Sequence, residues 1–502
     1  MTTAQTRPRL SSAAVIPGRA HARARRAFKF SWVLASSGLC TPALADLTAL
    51  QFSNPIEQAA ALANQATYDQ LTGGEVPLCD AELSGPAGGC TGAVFEMFSN
   101  VRELVETANE LTNSGSTRYS LRLDQENLGF ALRWTAAEEM AAQGSSATQF
   151  TNSQLNSLAS RISALRVSAL GRTARNDDLP GSLWALGGGA GADDSIAKRW
   201  GGFLNGAFGY GRKDDTTDPF NTTGSSGAED AFDFDGSEIT LGADYRLSES
   251  TVLGTLLGFS QRRVDFDSAV SIVDGTIDTD GSSLMFFAMW ENDRFYVSGS
   301  LGGQWLEYDF RRRITYPSLN PLVAPVDVTT TSSTDSNTLM GTLSGGANFN
   351  VGGFAFAPYA KAEYQKVSVD EFAERGGSGF EFGYGEQDIK SFQLAAGATV
   401  QYVFTPRFGV IVPYARAEIR KEFENDPRNI SATYASMPTS NVTTAQDFNL
   451  ATDEHDDQFF VVAGGFSVVL KGGLQGFLQY QQVLDLDTFS DRVIAGGIRL
   501  EF

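Results

Sequence analysis

The sequence predicts an all-β transmembrane barrel of about 12 antiparallel strands, preceded by a small helical N-terminal region and a pore or linker helix. Three observations carry that expectation: an export signal near the start, a change from helical to period-two spacing at Trp200, and connections between period-two segments that alternate short and long.

The composition admits such a fold. The 502 residues are 42% apolar, 11% aromatic and 19% charged, with 52 glycines. Barrel strands alternate in polarity and never reach the hydropathy of a spanning helix. No uncharged apolar run of about 18 residues occurs, so a spanning helix is not expected. Residues 1–45 read as a signal peptide. Arg19, Arg23, Arg25, Arg26 and Lys29 form its basic part, FSWVLASSGLC its apolar part, and Ala43-Leu44-Ala45 a small-x-small cleavage site, with cleavage expected between Ala45 and Asp46. The Arg pair in RRAFKF is compatible with twin-arginine export, but a chain bound for an outer membrane crosses unfolded, which favours the general secretory route. Gly38-Leu39 before Cys40 is the wrong order for a lipobox. The signal holds seven Lys/Arg and no Asp/Glu, so its removal takes the formal net charge from −21 to −28. A surface this acidic excludes nucleic acid as a partner. Cys79 and Cys90 then remain, an even pair in an exported chain, and read as one disulfide across a short loop.

Residues 46–150 have helical spacing. Ile56, Ala59, Ala60, Ala63, Ala66 and Leu71 follow a Ser53-Asn54-Pro55 start signal, and Val94, Met97, Phe98, Val101, Leu104, Val105, Ala108 and Leu111 repeat the theme. The cysteines fall between these two helices and would tie them. In 151–195, QLNSLASRISALRVSAL places Leu155, Leu158, Ile162, Leu165 and Leu170 near one face, and GGGAGADD reads as a flexible linker.

From residue 196 to 502 twelve segments alternate, near 198–211, 237–248, 251–263, 281–291, 294–309, 337–351, 354–368, 389–404, 408–421, 458–470, 473–484 and 492–502. Tight turns follow the second, fourth, sixth, eighth and tenth; the other connections, apart from DLDTFSD, are long. In an antiparallel sheet every second connection lies at the same end, so one end is trimmed and the other elaborated, as in bacterial outer-membrane barrels with short periplasmic turns. Charge parity fits closure around a polar lumen. Asp244 and Arg246 oppose Ile239, Leu241 and Tyr245; Arg416, Glu418 and Arg420 oppose Ala415, Ala417 and Ile419; Gln475, Gln479 and Gln481 oppose Leu474, Leu478 and Tyr480; Arg499 opposes Ile498 and Leu500. A soluble sandwich could show the same parity. Segments of about eleven to fifteen residues exceed ordinary strands and suit a tilted crossing. Trp200, Tyr210, Tyr245, Trp290, Trp305, Tyr364 and Tyr402, near strand ends, are expected in interface girdles.

DFDGSEITLGADYRLSESTVLGTLLGFS, PYAKAEYQKVSVDEF and the terminal AGGIRLEF resemble the autotransporter family, over about residues 195–502, and NQATYDQLTGGE resembles the helix and turn upstream of many such barrels. The resemblance implies an outer-membrane translocator of type V secretion in a Gram-negative bacterium, exporting or displaying its own N-terminal region. It implies that the barrel-assembly machinery reads the last strand, here Ile494, Ile498, Leu500 and Phe502, and that a linker helix remains in the lumen. QLNSLASRISALRVSAL is the candidate; a helix in a periplasmic or surface domain is the other reading. Family passengers are long repetitive β-helices, whereas 46–150 is short, helical and unrepeated. Some members cut themselves at an Asn-Asn pair in the pore helix; Asn152 and Asn156 are separated, so no such cut is expected.

Two alternatives stay open: a solute channel or structural barrel plugged by its own helix, and a barrel-rim hydrolase. The second needs a histidine base, and after signal removal only His455 remains, in the acidic loop ATDEHDDQ, where a solvated role is expected. Asp233, Asp235, Asp278, Asp280, Asp453 and Asp456 lie in acidic clusters without the pattern of a calcium loop. No catalytic residue, metal or cofactor is expected. The expected partners are outer-membrane lipid, the barrel-assembly machinery and periplasmic chaperones, with a monomeric barrel.

Overall fold

The computed structural model describes residues 46–52, 54–73, 77–80, 89–142, 155, 158, 162, 199–214, 231–266, 271–292, 294–424, 428–438, 447–452, 457–470, 474–485 and 489–502. Its strands are β1 (Trp200–Lys213), β2 (Phe232–Arg246), β3 (Thr251–Phe266), β4 (Asp274–Glu291), β5 (Phe295–Tyr316), β6 (Val326–Ala347), β7 (Phe349–Val351), β8 (Phe354–Val369), β9 (Phe372–Ala373), β10 (Phe382–Tyr384), β11 (Gln387–Tyr402), β12 (Gly409–Glu422), β13 (Asn429–Tyr434), β14 (Phe448–Ala451), β15 (Gln458–Leu470), β16 (Leu474–Leu484) and β17 (Phe489–Glu501). All but β9, β10, β13 and β14 belong to one antiparallel sheet. Since β7 continues β6 past Asn348, that sheet is a closed barrel of 12 strands. The ring closes where β17 pairs with β1, from Gly201 opposite Glu501 to Lys213 opposite Phe489.

Burial within this wall is the reverse of that in a soluble sandwich. Outward Leu301 and Leu343 are each 61% exposed, whereas inward Glu418 and Arg420 are 2% and 3% exposed. Apolar groups left outside need lipid, and polar groups turned inside need one another. Strand β5 shows how tall the lipid-facing belt is. Its outward residues Phe295, Val297, Leu301 and Trp305 are exposed and apolar, and the next outward positions are Glu307, Asp309 and Arg311. The ten steps from Phe295 to Trp305, at about 3.3 Å each and tilted by about 40°, give a belt of about 25 Å, the height of an outer-membrane hydrocarbon layer. Aromatic pairs rim the turn end: Trp200 with Tyr245 at 4.9 Å and Phe354 with Tyr402 at 4.5 Å.

Beyond the belt the inward face changes character. Through the belt β5 turns Ser298, Ser300 and Gln304 inward; above Trp305 it turns Leu306, Tyr308, Phe310, Ile314 and Tyr316 inward, all buried. This upper wall runs on because β5 and β6 are each 22 residues long. The segments expected from sequence end at 309 and resume at 337, short of these bounds, because the apolar parity changes sides there while the alternation continues.

Three helices sit against that upper wall. Helix α1 (Pro55–Thr72) starts where the Asn54 side chain accepts from the Ile56 amide at 2.7 Å, with Pro55 in the first turn. Helix α2 (Ala93–Thr112) ends on Asn113 in the left-handed region, φ 55°. Helix α3 (Gln125–Thr135), absent from the sequence reading, is capped by Asp124 on the Asn127 amide at 2.9 Å. Cys79 and Cys90 are bonded between α1 and α2, Cα atoms 5.0 Å apart. The long connections add a second sheet, ordered β14-β13-β10-β9. The residues of these helices, of that sheet and of the upper wall form one buried apolar cluster.

Candidate functional site: the barrel lumen and its outer mouth

The lumen has two kinds of wall. One is charged. On β8 and β12, Arg420 reaches Glu363 at 3.0 Å and Glu418 at 2.8 Å, Lys361 reaches Glu363 at 3.1 Å and Glu418 at 3.6 Å, and the Tyr359 hydroxyl donates to Glu418 at 2.5 Å. Arg416 donates to Gln481 at 2.7 Å and Tyr414 to Gln479 at 2.8 Å, carrying the network to β16. Near the turn end Arg499 bridges Asp244 at 2.8 Å and Glu501, and Arg246 stands 3.9 Å from Glu501. Unlike charges thus meet along one strand or across an intervening one, β11 between β8 and β12 and β1 between β2 and β17, and offset each other's desolvation. The other wall is apolar: Phe203, Val252, Leu256, Met285, Phe287, Met289 and Met340 cluster with Leu155, Leu158 and Ile162.

At the outer mouth the barrel supplies partners that the helices lack. Asn320, in the β5–β6 connection, donates through Nδ2 to the carbonyls of Arg118 at 3.0 Å and Ser120 at 2.7 Å. Asn100 of α2 donates to the Ser378 carbonyl at 2.9 Å, and the Tyr434 hydroxyl donates to Asn64 Oδ1 at 2.8 Å. Gly379, φ 97°, lies so near α2 that a Cβ there would stand 2.4 Å from the Met97 amide nitrogen, so no other residue fits. Arg312 is the central buried charge. It pairs with Glu374 at 2.9 and 2.7 Å and donates to the carbonyls of Trp134 at 3.2 Å and Phe380 at 3.0 Å. Burial works against its charge, but Glu374 more than offsets that and holds its pKa above the ordinary value.

Two carboxyls in this region hold protons unusually well. Burial pushes Glu139 up to about 8, against a lowering by Arg312, with Glu138 and Glu374 adding to the rise. Among the described residues, neither of its carboxylate oxygens has a hydrogen-bond partner in another residue. Burial also raises Glu103 to about 7, against lowering by Arg102 and Ser99, with Glu106 opposing them.

Of the residues singled out from sequence, Asp244, Arg246, Arg416, Glu418, Arg420, Gln475, Gln479, Gln481 and Arg499 share the inward parity of the wall. Ile494, Ile498, Leu500 and Phe502 are exposed on the outward face of the last strand. Asp46 caps a short 3-10 helix at Leu47–Ala49. Asp233 pairs with Arg212 at 2.6 Å and Asp278 with Arg263 at 2.7 Å, as exposed cross-strand ion pairs. Among the described residues no cluster suited to a metal ion occurs. Ala45, Asn152, Asn156, Asp453, His455 and Asp456 lie outside the described residues. Sequence reasoning missed Arg312, Glu374, Glu139 and Gly379; their partners come from segments as much as 280 residues away, and no local spacing marks them.

A model of the autotransporter beta-domain matches residues 207–481, more than half of the chain. The chain belongs to the autotransporter family. Its barrel is the outer-membrane translocator of type V secretion in a Gram-negative bacterium, and the barrel is not itself catalytic. The chain is similar to Esterase EstA of Pseudomonas aeruginosa, 23% identical over 250 residues, which is 49% of this chain and 35% of that protein. It thus spans about a third of the length of that relative. Among solved structures it is similar to the translocator domain of the autotransporter NalP from Neisseria meningitidis, at 15% identity and TM-score 0.45, covering 61% of this chain and 89% of that one. The beta domain of the Bordetella autotransporter BrkA matches at 15% identity and TM-score 0.40, over 60% and 99%.

Proposed function

We propose that this autotransporter displays residues 46–142 as a cap seated on its own barrel and retains them there. The observation that carries the reading is the shared apolar core: helices α1–α3 bury their faces against β5, β6 and the second sheet, so release would expose both surfaces to water. On this reading the chain descends from the cap through the lumen by way of Leu155, Leu158 and Ile162 to β1, with domains at 46–150, 151–195 and 196–502. The cap acts by presenting a surface and not by hydrolysis. No histidine occurs between residues 46 and 142, since the two in the sequence are His21 and His455, and triad chemistry needs one.

Glu126, exposed at the start of α3, offers a test. A Glu126→Cys variant should react with a membrane-impermeant maleimide on intact cells; reaction only after permeabilisation would place the cap inside and end the reading. The likeness to an esterase favours one second reading, in which a segment outside 46–142 carries hydrolysis. Loss of ester hydrolysis by intact cells in His455→Ala would support it, and the display reading expects no such activity to lose. Ile494, Ile498, Leu500 and Phe502 form the outward face that the assembly machinery would recognise, with periplasmic chaperones delivering a monomer. Deletion of Phe502 should reduce outer-membrane levels more than the loss of one exposed ring implies, and unchanged levels would count against that role.

A further inference from the structure

The outward face of the wall carries a cleft at the upper edge of the lipid belt. Two rows of residues, each running opposite one another across adjacent strands, form its sides. The lower row is Ile239 on β2, Phe259 on β3, Ser282 on β4 and Trp305 on β5. The upper row is Gln261 on β3, Asp280 on β4, Glu307 on β5 and Asp335 on β6. A cavity of about 720 Å³ lies over both rows, a size that suits a small ligand. Its shape has a cause in the sequence. Ser282 is small, and the Phe259 and Trp305 rings on either side of it stand 53% and 52% exposed. Trp305 is the last apolar outward residue of β5 and Glu307 the next one up, so the cleft opens to hydrocarbon below and to water above. Its carboxylates bring no cation with them. Among the described residues Glu307 and Asp335 stand in no ion pair, Asp280 accepts from Gln261 at 2.9 Å, and Asp370 adds a carboxylate at the rim. Arg263, the next outward residue after Gln261, is already held by Asp278 at 2.7 Å.

We propose that this cleft binds the headgroup of an outer-leaflet amphiphile rich in hydrogen-bond donors, an amino sugar being the class that fits, with the acyl chain running down over Ile239, Phe259 and Trp305. The chemistry follows from the two rows. Hydroxyl and ammonium groups can donate to Glu307 and Asp335 without displacing a partner, and hydrogen bonds to ionised acceptors are the strong ones. The aromatic rings attract an ammonium group as well. A headgroup that offers only phosphate meets like charge across the whole upper row. The lower row commits the site to a lipid and not to a free sugar, because its apolar residues face hydrocarbon and a soluble ligand would leave them uncovered. The cleft lies on the outside of the wall, so the proposal does not depend on where residues 46–142 are displayed.

The test uses the full chain, folded and held in a neutral detergent, with the folding of each variant checked by heat-modifiable migration. Binding of dodecyl glucosaminide, dodecyl phosphate and free glucosamine is measured by native mass spectrometry. Dodecyl glucosaminide should bind about tenfold more tightly than dodecyl phosphate, the difference expected from a charge-assisted hydrogen bond. Ser282→Trp fills the gap between Phe259 and Trp305 from a lipid-facing position and should weaken that binding about tenfold. Ala396→Trp, exposed on β11 and outside the cleft, should leave it unchanged. The double variant Glu307→Gln with Asp335→Asn, which keeps the shape of the cleft, should lose the preference over phosphate. Equal affinity for the two amphiphiles in the unaltered protein, or undiminished binding in Ser282→Trp, would overturn the proposal. Free glucosamine binding as tightly as its alkyl form would overturn the assignment to a lipid.

Discussion

Arg312 and Glu374 show what single residues decide here. Both are about 99% buried as side chains and make a bidentate pair at the junction of cap and barrel. Removing one partner strands the other in the core, so Arg312→Ala should lower cap stability by about 3–5 kcal/mol. Replacement of the pair by apolar residues of similar volume should cost far less, and equal losses in the two cases, measured by urea unfolding, would show that the pair is not desolvated as described. Glu139 predicts a pH dependence. Arg312, Glu138 and Glu374 are the charges that act on it, and burial raises it from 4.5 to about 8. The folded state therefore binds a proton that the unfolded state releases above about 4.5, so this contribution is full below that pH and is lost as pH rises through about 8. The urea midpoint of the cap should fall between pH 6 and 9 in the unaltered protein and much less in Glu139→Gln; identical profiles would contradict the assignment. None of this was legible in the sequence, where Glu138-Glu139 looks like any acidic pair on a helix end.

At the scale of elements, strand β5 carries two instructions in one alternation. Leu301 and Trp305 face outward in the belt, and Glu307, Asp309 and Arg311 occupy the same face above it. An arginine at the bilayer midplane costs about 2–4 kcal/mol and near the interface about 0–1. Leu301→Arg should accordingly destabilise the folded barrel by that larger amount and Glu307→Arg hardly at all, measured by urea unfolding in vesicles; equal effects would mean that the belt is misplaced. The barrel strands were legible because length, period and turn spacing all agree. The upper wall was only half legible. Leu306, Tyr308 and Phe310 against Glu307, Asp309 and Arg311 announce a change of parity, but parity alone does not say that the inward side has become a core. Helix α3 escaped because QENLGFALRWT is short and holds Gly129 in its middle. Strands β9, β10, β13 and β14, of two to six residues, are held by pairing and by aromatic contacts such as Phe382 with Phe448 at 4.5 Å, not by a pattern long enough to read.

At the scale of the whole molecule, one chain builds a barrel through lipid and, on the same strands, the upper wall that shares a core with helices α1–α3. On the display reading, the change in the inward face of β5, from Ser298, Ser300 and Gln304 in the belt to Leu306, Tyr308 and Phe310 above it, marks where translocation ends and presentation begins. With that shared core, the cap and the outer mouth should unfold as one cooperative unit. Hydrogen exchange on the full chain in outer-membrane vesicles, taken through rising urea, tests it most directly. In a single unit, amides of α2, among them Val101, Leu104 and Val105, lose protection at the same urea concentration as those of β10 and β13, while the β5 amides between Val297 and Gly303 remain protected. Loss of α2 protection at a concentration where β10 and β13 are still intact would contradict it.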